Sequence, residues 1–95
     1  MAGLWIAHAN VTDADSYGEY VKGATEVIGA HGGTFVARGG QYKQCEGADH
    51  ARNVVVRFDT FDQAVACYES AEYQAIVQTA VDASDRSVVI VEADV

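Results

Sequence analysis

Apolar and polar positions along this chain repeat with two different periods, and each change of period marks the end of an element. Leu4 to Val11 alternates with a period of two, the pattern of a strand. Trp5, Ala7, Ala9 and Val11 make an apolar face suited to packing under helices, while Leu4, Ile6, His8 and Asn10 make a second face that turns polar toward its end. From Thr12 the period lengthens. Tyr17, Tyr20, Val21, Ala24, Val27, Ile28 and His31 fall three and four apart, one stripe of a helix. Thr12 or Asp13 can cap its start, where acidic residues suit the positive end of the helix dipole. Gly18, Gly23 and Gly29 each weaken this helix by up to about 1 kcal/mol relative to Ala, and they permit a close neighbour. His31-Gly32-Gly33 ends it through a left-handed glycine.

A short strand, Thr34 to Arg38, follows, and Gly39-Gly40 breaks or bulges it. Gln41 to Glu46 reads as an extended arm and Gly47 to Ala51 as a loop. Arg52 to Asp59 is the clearest strand, with Val54, Val56 and Phe58 on one side and Asn53, Val55, Arg57 and Asp59 on the other. Thr60-Phe61-Asp62-Gln63 fits a capping box, with Gln63 reaching back to Thr60. Phe61, Ala64, Val65 and Tyr68 are the expected buried stripe of the helix it opens. Ser70 reads as a second cap after a break, and Tyr73, Ile76, Val77, Ala80 and Val81 continue at helical spacing. Asp82 to Asp85 is expected to turn, and Arg86 to Ala93 to form the last strand.

The order β-α-β-β-α-β over residues 1–95 predicts a single α+β domain of ferredoxin-like form, a four-stranded antiparallel sheet with two helices on one face. The other face is then bare, carrying Leu4, Ile6, Val36, Val55 and either Val88 or Val89. That much apolar surface calls for a partner. Two such sheets packed face to face make a dimeric α/β-barrel.

Composition narrows the function. A chain of 95 residues buries about 64% of its unfolded surface, a small core that favours a shared one. A hydrophobic content of 49% with 21% charged residues is that of a globular chain. The net charge of −8 repels phosphate backbones and anionic bilayers, so neither nucleic acid nor membrane is an expected partner. Arg38, Lys43, Arg52 and Arg57 crowd the middle of the chain, either as solvated surface charges or as a local positive site for a small anion. With no basic leader and no apolar run long enough to span a membrane, the expected location is cytoplasmic, and Cys45 and Cys67 are expected to be reduced thiols.

Several stretches resemble a known family: Trp5-Ile6-Ala7-His8, Val11-Thr12-Asp13, His31-Gly32-Gly33, Arg38-Gly39-Gly40, Glu46-Gly47, Tyr68-Glu69-Ser70, Glu72-Tyr73-Gln74 and Val91-Glu92. In order and spacing they are similar to the family catalogued as domain of unknown function 1330, over nearly the whole chain. The resemblance implies a dimeric α/β-barrel related in shape to small monooxygenases and muconolactone-isomerase-like proteins, and no established reaction. Cys67 departs from the family, standing where a Trp often precedes the Tyr, and so do Ala14, Ala51 and Ala71, where prolines are common.

His8, beside Asn10 on a strand face, is the candidate catalytic base, with a simple hydrogen bond to a neighbour as the alternative. Arg38 and Arg57 can fork onto a carboxylate or phosphate, with Gly39 opening its backbone to the same anion. Ion pairing with Glu46, Asp59 or Glu92 is the alternative, and the simpler role for Arg57 and Arg52. Asn10, Asn53 and Tyr17 complete the candidate ligand-binding set, although Tyr17, Tyr20, Tyr68 and Tyr73 at helical spacing also suit a core. Cys45 and Cys67 show no activating neighbour, His50 is expected to be exposed, and no spacing suggests a metal site or a cofactor motif. Three readings remain: a cofactor-free enzyme, monooxygenase- or isomerase-like, acting on a small acidic or aromatic metabolite; a non-catalytic ligand-binding module; and a structural dimer whose barrel its own side chains fill.

Overall fold

The computed structural model describes residues 1–95. Seven elements follow one another: β1 (Ala2–Val11), α1 (Ala14–Ala30), β2 (Thr34–Arg38), β3 (Arg52–Phe58), α2 (Phe61–Glu69), α3 (Ala71–Asp82) and β4 (Ser84–Ala93). The strands form one antiparallel sheet in the order β2-β3-β1-β4, the ferredoxin-like arrangement, with the second helix of the pattern divided at Ser70. The division is local chemistry. Ser70 takes extended backbone (ψ 149°), its hydroxyl donates to the Cys67 carbonyl at 2.7 Å, and it accepts from the Tyr73 amide at 3.2 Å. At the other helix, Asp13 is the N-cap. Gly32 (φ +86°) and Gly33 close its far end, their amides donating to the Gly29 and Ile28 carbonyls at 3.1 and 2.9 Å.

The pleat of β1 sorts its residues as expected. Trp5, Ala7 and Ala9 are buried under the helices, and Leu4, Ile6, His8 and Asn10 lie on the opposite side. No helix covers that side. There Ile6 stands between Val55 and Val89, and Leu4 between Arg57 and Val91. Val89 is therefore the bare-face valine and is 51% exposed, whereas Val88 packs on the core.

The core is aromatic at its centre. Trp5 meets Tyr73 edge-on at 4.8 Å between ring centroids, stacks on Phe58 at 6.3 Å, and lies 5.5 Å from Tyr68. A single hydrogen bond of 2.7 Å joins the Tyr20 and Tyr73 hydroxyls inside it. Gly23 lets α1 approach α3, since a Cβ there would already touch Ile76 at 3.3 Å.

Four local expectations are corrected. β4 begins at Ser84, not Arg86, because β1 runs on to Val11 and pairs with it; the turn shrinks to Ala83, whose carbonyl accepts from the Thr12 and Asp13 amides. Val11 itself, at the strand end, is 39% exposed. Phe61 is exposed, and the buried stripe of α2 is Ala64 and Cys67. The Gln63 side chain does not close a capping box but donates to the His31 carbonyl at 2.9 Å, tying α2 to the end of α1. β2 ends at Arg38, before Gly39-Gly40, as expected, and an additional irregularity falls earlier, at Val36.

Two outcomes follow from this core. Trp5→Ala should destabilise the fold by about 3–5 kcal/mol in chemical denaturation, as loss of a buried aromatic side chain does. Cys67 is buried, and burial together with the nearby Glu72 pushes its thiol up to about 11, while Cys45 is exposed. Iodoacetamide at neutral pH should therefore alkylate Cys45 alone in the native protein and both cysteines after denaturation, read by intact mass.

Candidate functional site

A pocket opens between α1 and the helix-facing side of the sheet. Its apolar walls are Trp5, Ala7, Val54 and Val56 from the sheet and Val21, Ala24 and Ile28 from α1. Its polar groups are Tyr17, Tyr20, Thr25 and three of the chain's four arginines, Arg38, Arg52 and Arg86.

Strand phase brings the arginines there. Arg52 is in phase with Val54, Val56 and Phe58 on β3, and Arg86 with Val88 and Ile90 on β4. Both stand opposite Ala9, one on each side of it. Arg38 needs the irregularity in β2. Phe35 and Arg38 are three residues apart and would fall on opposite faces of a regular strand. The register shift between Phe35 and Ala37 sets Phe35 opposite Val56 and Arg38 opposite Val54, so that both line the pocket. The Arg38 guanidinium then lies 4.0 Å over the Phe35 ring and donates to the Thr25 hydroxyl.

None of the three is paired with a carboxylate. The ion pairs of the molecule are Lys22–Glu19 and Arg57–Asp59, Glu72 lies 3.7 Å from His31, and no acidic side chain lines the pocket. Arg52 sits 5.9 Å from the Tyr17 ring and Arg86 5.1 Å from the Tyr20 ring. Arg86 is the most deeply held. Its Nη2 donates to the Tyr20 hydroxyl at 3.4 Å, while its Nε and Nη1 are buried without an acceptor in the protein. Burial pulls its pKa down, but the hydroxyls of Tyr20, Tyr73 and Tyr17 more than offset this, and the guanidinium stays charged. Burial also holds the Tyr17 hydroxyl above the ordinary phenol value, against the opposing pull of Arg86 and Arg52, so that Tyr17 is a neutral donor at physiological pH.

The residues singled out in the sequence divide between two faces of the sheet. Tyr17 and Arg38 line the pocket. Gly39 follows at its edge in left-handed conformation (φ +67°), where a Cβ would come within 2.9 Å of Arg52 Nη1; its amide is not open to a ligand, since it donates to the Asn53 carbonyl at 2.9 Å. His8, Asn10, Asn53 and Arg57 lie on the side of the sheet facing away from α1. There His8 Nδ1 donates to Asn53 Oδ1 at 2.6 Å, and Asn53 Nδ2 donates to the His50 carbonyl at 3.0 Å. Asn10 clamps the same loop, donating to the Asp49 carbonyl at 2.7 Å and accepting from the Ala51 amide at 3.0 Å. These side chains fasten the crossing loop to the sheet. His50 is accordingly half-buried, its ring 6.1 Å from His8, rather than exposed. Arg57 is spent on Asp59 at 3.2 Å and on the Val95 carbonyl. Arg86 and Arg52 line the pocket without a motif to mark them; the signal that the sequence carries for both is an arginine on the buried phase of a strand.

Among solved structures, the chain is similar to a protein of unknown function from Rhodopseudomonas palustris, with 13% identity over 99% of this chain and 83% of that one and a TM-score of 0.77. It is similar to a dimeric ferredoxin-like protein of unknown function from Thermobifida fusca, with 17% identity, 98% and 92% coverage and a TM-score of 0.65. A third is SnoaB, a cofactor-independent oxygenase from Streptomyces nogalater, with 9% identity, 99% and 94% coverage and a TM-score of 0.64. At these identities the likeness is one of fold. No curated protein matches the chain by sequence. The family model described as Domain of unknown function (DUF1330) matches residues 2–94, and the chain belongs to that family.

Proposed function

We propose that this protein is a homodimer, its bare sheet faces packed together, and that each subunit holds a small acidic metabolite between α1 and its sheet. The observation that carries the reading is the set Arg38, Arg52 and Arg86, converging on one pocket without a carboxylate in a protein of net charge −8. Gathering unpaired cations is unfavourable, the more so when one is partly buried, and an anionic ligand supplies the missing charge. The aromatic and aliphatic walls suit an apolar or aromatic body. The dimer is supported by the apolar face of Leu4, Ile6, Val55, Val89 and Val91 and by the dimeric relative of like fold.

The chemistry such a pocket suits is stabilisation of an enolate or phenolate oxygen. The arginines supply positive charge and Tyr17 a neutral donor, in a cofactor-free reaction of monooxygenase or isomerase type. The fold it shares with a cofactor-independent oxygenase is in keeping with this. His8 is left out of the mechanism, since it stands on the other side of the sheet. A second reading, ligand binding without turnover, is favoured by one feature: no histidine, carboxylate or thiol lines the pocket to take a proton.

Light scattering should give the mass of a dimer for the native protein and of a monomer for Ile6→Asp combined with Val89→Asp; a native monomer would contradict the assembly. The double variant Arg38→Ala, Arg52→Ala should bind benzoate at least about tenfold more weakly than wild type in calorimetry, the scale of a lost charge-assisted hydrogen bond. Unchanged affinity would remove the arginines from the site.

A further inference from the structure

We infer, building on the anion-pocket reading above, that the natural ligand is an organic dianion carrying an acidic group at each end of a short apolar body. The three arginines are not one cluster. Arg38 and Arg52 belong together, because Gly39, next to Arg38, lies against Arg52 Nη1. They occupy the β2–β3 side of the sheet, whereas Arg86 projects from β4 at the opposite edge. With strands about 4.8 Å apart, Arg52 on β3 and Arg86 on β4 start about 10 Å from each other, and Arg38 on β2 one strand further out.

What lies between the two cationic ends is apolar. Ala9 separates Arg52 from Arg86 in the register of the sheet, and Ala7 and Val54 lie beside it on the same face. Above them the Tyr17 and Tyr20 rings, 5.3 Å apart, fill the interval between the two guanidiniums, Arg52 beside the first and Arg86 beside the second. Small side chains and flat rings, not polar groups, therefore line the stretch between the two guanidiniums.

The two ends differ in depth. Arg38 is exposed at the mouth. Arg86 is half-buried, with two donor nitrogens lacking any acceptor in the protein. The Tyr20 hydroxyl that it meets is also bonded to Tyr73, which is wholly buried and has no other acceptor for its proton. A buried hydroxyl proton without an acceptor is costly, so Tyr73 donates to Tyr20. Arg86 donates to the same oxygen, and the Tyr20 proton is left to point into the pocket. The inner end thus offers a charge and a donor to an oxygen that has lone pairs only, as a carboxylate or enolate has. A monoanion compensates one end and leaves the other unpaired; a dianion of matching length serves both.

The test is calorimetric titration of the full chain with the linear dicarboxylates from malonate to suberate and the monocarboxylates from propanoate to octanoate. The expected result is an optimum at one dicarboxylate length, at least about tenfold tighter than the monocarboxylate of that length. Arg86→Gln should abolish the optimum and bring the dicarboxylate down to the monocarboxylate affinity. Arg52→Gln, which removes the other end, should abolish it too and carries the test if Arg86→Gln does not fold. Dicarboxylates whose affinity exceeds that of monocarboxylates equally at every length would reflect charge alone and overturn the two-ended site while leaving the anion pocket standing. No binding of any carboxylate would overturn both.

Discussion

The period-two pleat of β1, the strand paired on both sides, is the constraint from which the rest of the molecule follows. One phase sends Trp5 into the aromatic core and sets Ala7 and Ala9 behind it. Trp5 anchors Tyr73, Tyr68 and Phe58 and so fixes where the helices lie. The alanines lie toward the arginine end of the sheet, where Ala9 parts Arg52 from Arg86. The other phase places Leu4 and Ile6 on a face that no helix covers. A slip of one residue would exchange these sets, burying His8 and exposing Trp5.

Much of this was legible in the sequence because it rests on local rules. The strand alternation, the Gly32 helix end, the Ser70 cap and the ferredoxin-like order depend on neighbours in the chain, and all are found. What was misread depends on register. The polar residues His8, Asn10 and Asn53 looked like a cleft because they share a face, but their partners are the loop residues His50, Asp49 and Ala51, which no spacing brings near. Arg38 was singled out for its glycines; it reaches the pocket because β2 carries an irregularity at Val36, which nothing in that apolar stretch announces. Arg86 lies where the last strand is expected to begin, and only the pairing of Ala9 with both Arg52 and Arg86 shows that it shares a face with Arg52.

The proposed site has a different chemistry from the expected one. In place of a histidine base, the proposal rests on a within-subunit pocket of arginines and tyrosines. Such a set holds and polarises oxygen anions. The polar network around His8 takes the structural part, pinning a loop that carries no strand of its own.

The measurement that bears most directly on this account is a native mass spectrum of the protein isolated gently from its own host. The account predicts a dimer carrying up to one small acidic molecule per subunit, released on denaturation and displaced from a variant lacking Arg52 and Arg86. A protein that carries no such molecule, and takes up none from an extract of host organic acids, would contradict it.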